Sequence, residues 1–113
     1  MLFRVGALPE KAMEASADFH ARILPQVLAE LASSPALLVL VFAPADHTHR
    51  GWRLAAVQSL AREYAPLRVN AVVSDDDKAI AAAVRYLEGA GGVTGQLLPL
   101  DGKGAGEVLS FVR

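Results

Sequence analysis

Apolar positions along the chain fall into two patterns, wide helical stripes and short runs without a polar gap. Leu2 to Leu8 is a short apolar stretch ending near Pro9 and predicts a buried strand. Pro9 suits the first turn of a helix, with Glu10 on the side that the helix dipole favours. The spacing predicts a helix from about Pro9 to Ala32. In it Phe19, Ile23 and Val27 form one i, i+4 row, and Leu24, Leu28 and Leu31 an adjacent one. Pro25 lies inside this helix and should kink it, at a cost of roughly 3 kcal/mol if nothing compensates. Ser33-Ser34-Pro35 ends it. Ala36 to Phe42 is then apolar at every position, which predicts a central strand of a parallel sheet covered on both faces.

Ala43 to His49 reads as the loop at the carboxyl end of that strand. A second helix is predicted from about Arg50 to Tyr64. Trp52, Ala56 and Leu60 share one face, and Leu54, Val57, Ala61 and Tyr64 a neighbouring one. Pro66 stops it, and Leu67 to Val73 predicts a third strand. Ser74 has the character of an N-cap, with Asp77 in the capping-box position, for a helix over Asp75–Glu88 that ends at Gly89. Gly91-Gly92 turns the chain into a fourth strand, Gln96–Leu100, and Glu107–Arg113 adds a short helix. The order β-α-β-α-β-α-β, with connections long enough for crossovers, predicts an α/β domain of two or three layers around a four-stranded parallel sheet.

The 113 residues suit one domain over 1–113, and 53% apolar content supports a single core. A net charge of −1 without any Lys/Arg cluster argues against nucleic acid or an anionic membrane as partner. With no cysteine there is no disulfide, thiolate zinc site or thiol catalysis. The first residues lack the pattern of a signal peptide, and the longest apolar run, 35–45, is too short to span a bilayer; a cytoplasmic protein is expected.

Three stretches carry a family resemblance. Ser59-Leu60-Ala61-Arg62-Glu63-Tyr64-Ala65-Pro66-Leu67-Arg68-Val69-Asn70-Ala71-Val72 resembles the helix-to-strand segment of short-chain dehydrogenase/reductases. Thr94-Gly95-Gln96-Leu97-Leu98-Pro99-Leu100-Asp101-Gly102 is similar to that family's last strand, and Ala82-Ala83-Val84-Arg85-Tyr86-Leu87 to the helix between them. The helix carrying Leu24-Pro25 is similar to the family's long interface helix. The resemblance covers most of the chain from about residue 17. It implies the carboxyl-terminal half of a Rossmann fold, with strands in the order one to four and the two long helices on one face.

The departures are as informative. The Gly-rich cofactor turn of the family's amino-terminal half has no counterpart here, so no nicotinamide cofactor is expected. By the family's spacing, Asp46 stands at the catalytic tyrosine and Arg50 at the catalytic lysine, while Ala43-Pro44 occupies the place of the catalytic serine. The family's tyrosine gives a proton to the carbonyl being reduced. An aspartate, with a reference pKa of about 3.9, has none to give near neutrality. No catalytic residue is therefore assigned.

What remains is binding. The broad apolar arcs and the family's four-helix pairing imply a homodimer through helices 9–32 and 50–64, or docking of the same surface onto a full-length reductase. Phe19, Ile23, Val27, Trp52, Ala56 and Leu60 are the expected interface residues. A small anionic or nucleotide-like ligand at the strand carboxyl ends is the alternative. Asp46, His47, His49, Arg50, Ser74 and Lys103 are its candidate residues, with Arg50 and Lys103 meeting the anion. Asp46-His47-Thr48-His49 lacks a third ligand nearby in sequence, so no metal is assigned, and a different enzyme built on Asp46, His47 and His49 has no visible nucleophile. Asp75-Asp76-Asp77 reads as a helix N-terminus answering its dipole. Gly102-Lys103-Gly104-Ala105-Gly106 lacks the full phosphate-loop pattern.

Overall fold

A computed structural model describes residues 1–100 of the chain. The strands are β1 (Leu2–Arg4), β2 (Leu37–Phe42), β3 (Arg68–Val73) and β4 (Leu97–Pro99). They lie in sequence order and every neighbouring pair is parallel. The helices are α1 (Ala12–Asp18), a π-turn (Phe19–Ile23) continuous with α2 (Leu24–Leu31), α3 (Arg50–Glu63) and α4 (Asp77–Gly89). This is the α/β half-Rossmann layer expected from the sequence. The predicted tail helix at 107–113 lies outside the described residues.

β2 is buried at all six positions because both faces are covered. Leu38, Leu40 and Phe42 pack with Val69 and Ala71 against the π-turn, α2 and α3. Leu37, Val39 and Val41 pack with Val72 against Ile80, Ala83 and Leu87 of α4. The two long helices thus share one face, and α4 lies on the other. Successive strands advance in one direction across the sheet, so the α4 crossover has the opposite hand to the two before it.

The helix over 12–31 departs from expectation at Pro25. Leu24 N–H bonds to the Phe19 carbonyl, five residues back, and Pro25 then falls in the first turn of α2. The wide turn takes the place of a broken one. It also sets the phase of the helix. Ala15, Phe19, Ile23, Val27 and Leu31 are spaced by four and each is at most 3% exposed. In an ideal α-helix each such step overshoots by about 40°, so four steps would carry the row about 160° round. The extra residue of the π-turn offsets about 100° of that drift.

The α4 side is stitched by polar groups. Asn70, fully buried on β3, donates from Nδ2 to the Val93 carbonyl (2.9 Å) and accepts from Gln96 N–H (3.0 Å). Arg68 Nη1 donates to the carbonyls of Leu87 and Ala90, both at 2.8 Å, closing the carboxyl end of α4. Among the described residues no helix is long and apolar enough to cross a membrane.

Candidate functional site

The exits of β1 and β2 enclose a cleft of about 390 Å³ at the carboxyl ends of the strands. After β1, Val5 N–H still bonds to the Val41 carbonyl at 3.0 Å, and Gly6 then turns the chain at φ +82°. Leu8, Pro9 and Glu10 form one wall; Phe42 and the loop 43–46 form the other. A smaller cleft of about 160 Å³ adjoins it, lined by Asp46, His47, His49, Arg50, Val73 and Pro99 among others. Ala45, Asp46, His49 and Arg53 line both.

The structure therefore brings four of the expected ligand residues, Asp46, His47, His49 and Arg50, around one small cleft. Their roles differ from those suggested by sequence. Asp46 caps the 3₁₀ turn His47–His49, accepting from the Thr48 N–H (2.9 Å) and the Thr48 hydroxyl. The Thr48 hydroxyl, then its N–H, and the nearby His49 and His47 hold the Asp46 carboxyl below its usual range. His49 is buried and both ring nitrogens are engaged. Nε2 faces the Glu10 carbonyl at 2.8 Å, so it carries the proton, and Nδ1 accepts from Trp52 Nε1–H at 3.3 Å. It ties the chain before α1 to the start of α3 and has no nitrogen left for a metal. His47 and Arg50 are exposed. Among the described residues no group of three or more His, Asp or Glu is placed to hold a metal ion.

Ser74 does not line either cleft. It is buried, and its hydroxyl accepts from Asp76 N–H at 2.9 Å. The N-cap of α4 is Asp76, which accepts from Lys78 and Ala79 N–H, so the expected cap at Ser74 is corrected by two residues. Lys103 and the glycine-rich segment around it lie outside the described residues.

A residue that sequence reasoning missed is central to the site. Arg53 of α3 is 6% exposed. Its Cζ stacks over the Phe42 ring at 4.6 Å, with the Trp52 ring at 5.8 Å. Nη1 donates to the Ala43 carbonyl at 3.0 Å. Nε is buried and has no hydrogen-bond partner among the described residues, whose ion pairs are Arg4–Asp77 and Arg22–Asp18 alone. Burial lowers the Arg53 pKa below its ordinary value, though a guanidinium stays charged. A signal was present in the sequence: Arg53 begins the row Arg53, Val57, Ala61, whose apolar members are buried.

The expected interface residues need correction. Phe19, Ile23, Val27, Ala56 and Leu60 are buried in the chain's own core, facing the sheet rather than a partner. Trp52 is half-buried, packed against Phe19, Phe42 and His20. The outward surface is a furrow of about 460 Å³ between the helix over 12–31 and α3. Leu24, Leu28, Trp52 and Ala55 line it, Ala56 and Leu60 contribute their edges, and Ser16, His20, Ser59 and Glu63 complete it.

The sheet order and the paired helices on one face agree with the resemblance drawn from sequence. A family model described as short chain dehydrogenase-like protein matches residues 3–100. The chain belongs to the SDR-like family. No curated relative and no solved structure matches it.

The wider fold family implies a nicotinamide dinucleotide, and the exit of β1 in this SDR-like protein is not built to hold its pyrophosphate. The β1–α1 connection carries a single glycine, Gly6, and ends in Lys11, which makes no side-chain cap. A pyrophosphate-binding turn needs closely spaced glycines opening directly onto a helix N-terminus. Glu10 and Asp46 line the cleft and would repel a diphosphate.

Proposed function

We propose that this SDR-like protein acts by association rather than by carbonyl reduction. Asp46, at the position of the family's proton-donating tyrosine, is held ionised by Thr48 and offers no acid. The observation that carries the proposal is the furrow between the helix over 12–31 and α3, where Leu24, Leu28, Trp52 and Ala55 meet solvent beside small residues that allow close approach.

A second copy is the occupant proposed. Both helices run against the strands of one parallel sheet, so they are parallel to each other. One end of the furrow carries Ser16 and His20, and the other carries Glu63. Turning one copy end for end about a two-fold axis sets imidazole against carboxylate at both ends and apolar centre against apolar centre. Gel filtration with light scattering, at a protein concentration on the order of tens of micromolar, should give a dimer mass. Leu28→Glu should give a monomer of unchanged stability, because Leu28 is 37% exposed. A clean wild-type monomer would defeat the homodimer, and a stoichiometric complex of that monomer with an intact reductase would indicate docking instead.

A second reading, small-ligand binding at the strand carboxyl ends, is favoured by one observation, the buried guanidinium of Arg53 with no ion pair among the described residues.

A further inference from the structure

The outer edge of β1 is open among the described residues. Alternate residues of this strand bond to β2: the Met1 carbonyl accepts from Val39 N–H at 2.8 Å, and Val5 N–H donates to the Val41 carbonyl at 3.0 Å. Phe3 stands between them in register with Leu40, so the N–H and C=O of Leu2 and Arg4 point away from the sheet. No described strand pairs with them. At the opposite edge, the outward position of β4 is Pro99, which has no N–H to offer. The side chains of Leu2 and Arg4 border a groove of about 350 Å³ between β1 and α4. Leu2, Ile80, Ala81 and Val84 give it an apolar floor, and Leu2 is 41% exposed. Edge strands are commonly blunted by a charge. Here that charge is Arg4, and Asp77 already pairs with it at 3.2 Å.

We propose that β1 pairs antiparallel with β1 of a second copy and joins the two sheets into one. This surface lies apart from the furrow between the helices and adds a second contact between copies. A two-fold axis through Phe3 sets Leu2 opposite Arg4 of the second copy, and Arg4 opposite its Leu2. Both are then hydrogen-bonded pairs of an antiparallel ladder, so every outward N–H and C=O of Leu2 and Arg4 is met. The groove selects a second copy over an unrelated extended segment. α4 runs against the direction of β1, with Arg4 and Asp77 at one end of the groove and Arg85 and Glu88 at the other. Neither Arg85 nor Glu88 has an ion pair among the described residues. The two-fold reverses the second groove. Its Arg4 lays an apolar stem over Leu2 and turns the guanidinium to Glu88, and its Asp77 turns to Arg85. A strand of three residues covers less than the roughly 800 Å² per partner of a stable complex. The dissociation constant is therefore on the order of 0.1–1 mM, and a solution at tens of micromolar holds the furrow contact alone.

The test uses the full-length Leu28→Glu chain, in which the furrow contact is lost and the edge acts alone. Light scattering from about 0.05 to 2 mM should show its mass climbing from monomer towards dimer. The wild type should climb beyond the dimer over the same range, so the test stands if the variant fails to fold. In an equal mixture of isotope-labelled and unlabelled protein at about 1 mM, a filtered NOE should connect Phe3 Hα of one copy with Phe3 Hα of the other, the close approach of a non-hydrogen-bonded antiparallel pair. Leu2→Pro removes an outward N–H and leaves the ladder with β2 intact, and should weaken the association at least about tenfold. Glu88→Arg sets like charges opposite Arg4 at both ends of the seam and should weaken it by a similar factor, about tenfold. A mass that stays monomeric to about 2 mM would overturn the edge contact and leave the furrow reading untouched. Association without the Phe3 contact, or unchanged in Leu2→Pro, would overturn β1 as the surface. Leu2 and Arg4 amides that resist hydrogen exchange in the dilute monomer would show the edge covered within one chain and overturn the pairing. Association indifferent to Glu88→Arg would overturn the charge match that selects a second copy.

Discussion

Replacing Arg53 with Met separates a cation that holds the fold together from one kept for binding. The guanidinium supplies one charged hydrogen bond, to the Ala43 carbonyl, of a kind worth about 1.5–3 kcal/mol. Its place over the Phe42 ring adds about 0.5–2 kcal/mol. The first loss is softened because Ala43 is exposed and water can serve its carbonyl. Against these stand two costs that Met removes. The orphaned Nε–H costs about 1–3 kcal/mol. Holding the buried cation with no ion pair among the described residues costs several kcal/mol more. About 2–4 kcal/mol lost is set against at least about 3 kcal/mol returned, and Met fills similar apolar space beside Phe42 and Trp52. Arg53→Met should therefore unfold in urea within about 1 kcal/mol of the wild type, or up to about 2 kcal/mol more stable, with an unchanged m-value. Breaking a buried ion pair costs about 3–5 kcal/mol. A loss of that size would refute the reasoning and make Arg53 part of the framework.

Asn70→Ala should lose about 2–4 kcal/mol in urea unfolding, since it orphans the Val93 carbonyl and Gln96 N–H and leaves a small cavity; a loss below about 1 kcal/mol would mean that the stitch is replaceable. The hydrogen bond from Arg22 lowers the Asp18 pKa, so the contribution of this pair to stability is complete above the unfolded carboxylate value of about 3.9 and fades as pH falls through the lowered folded value. Carboxyl NMR should show Asp18 titrating closer to the ordinary range in Arg22→Gln. NADPH or NADH oxidation with keto substrates should not exceed the protein-free rate, and turnover that follows protein concentration would overturn the non-catalytic reading.

The sheet was legible because its central strand announces itself. Leu37 to Phe42 has no polar position, and only a strand covered on both faces tolerates that. The placement of α1, α2 and α3 on one face was also read correctly. The outward side of those helices was not. Phe19, Ile23 and Val27 were expected to meet a partner, yet a row that packs on a sheet and a row that packs on a second molecule have the same composition and spacing. The site was harder still. An arginine in a helix reads as a solvated residue, and only its membership of the row with Val57 and Ala61 hinted at burial. His49 could not be told from a ligand until Glu10 and Trp52, distant or oddly oriented in the sequence, closed on its two nitrogens. The cap of α4 went astray because three acidic residues follow Ser74, and local geometry chose among them.

The π-turn at Phe19–Ile23 governs more than the buried row. Ser16, His20, Leu24 and Leu28, also spaced by four, line one furrow beside α3. An uninterrupted α-helix would wind that outer row away from its neighbour like the thread of a screw, and the furrow would close after a turn or two. The added residue makes the seam straight over its whole length, so a rod-like surface can lie along it without having to coil.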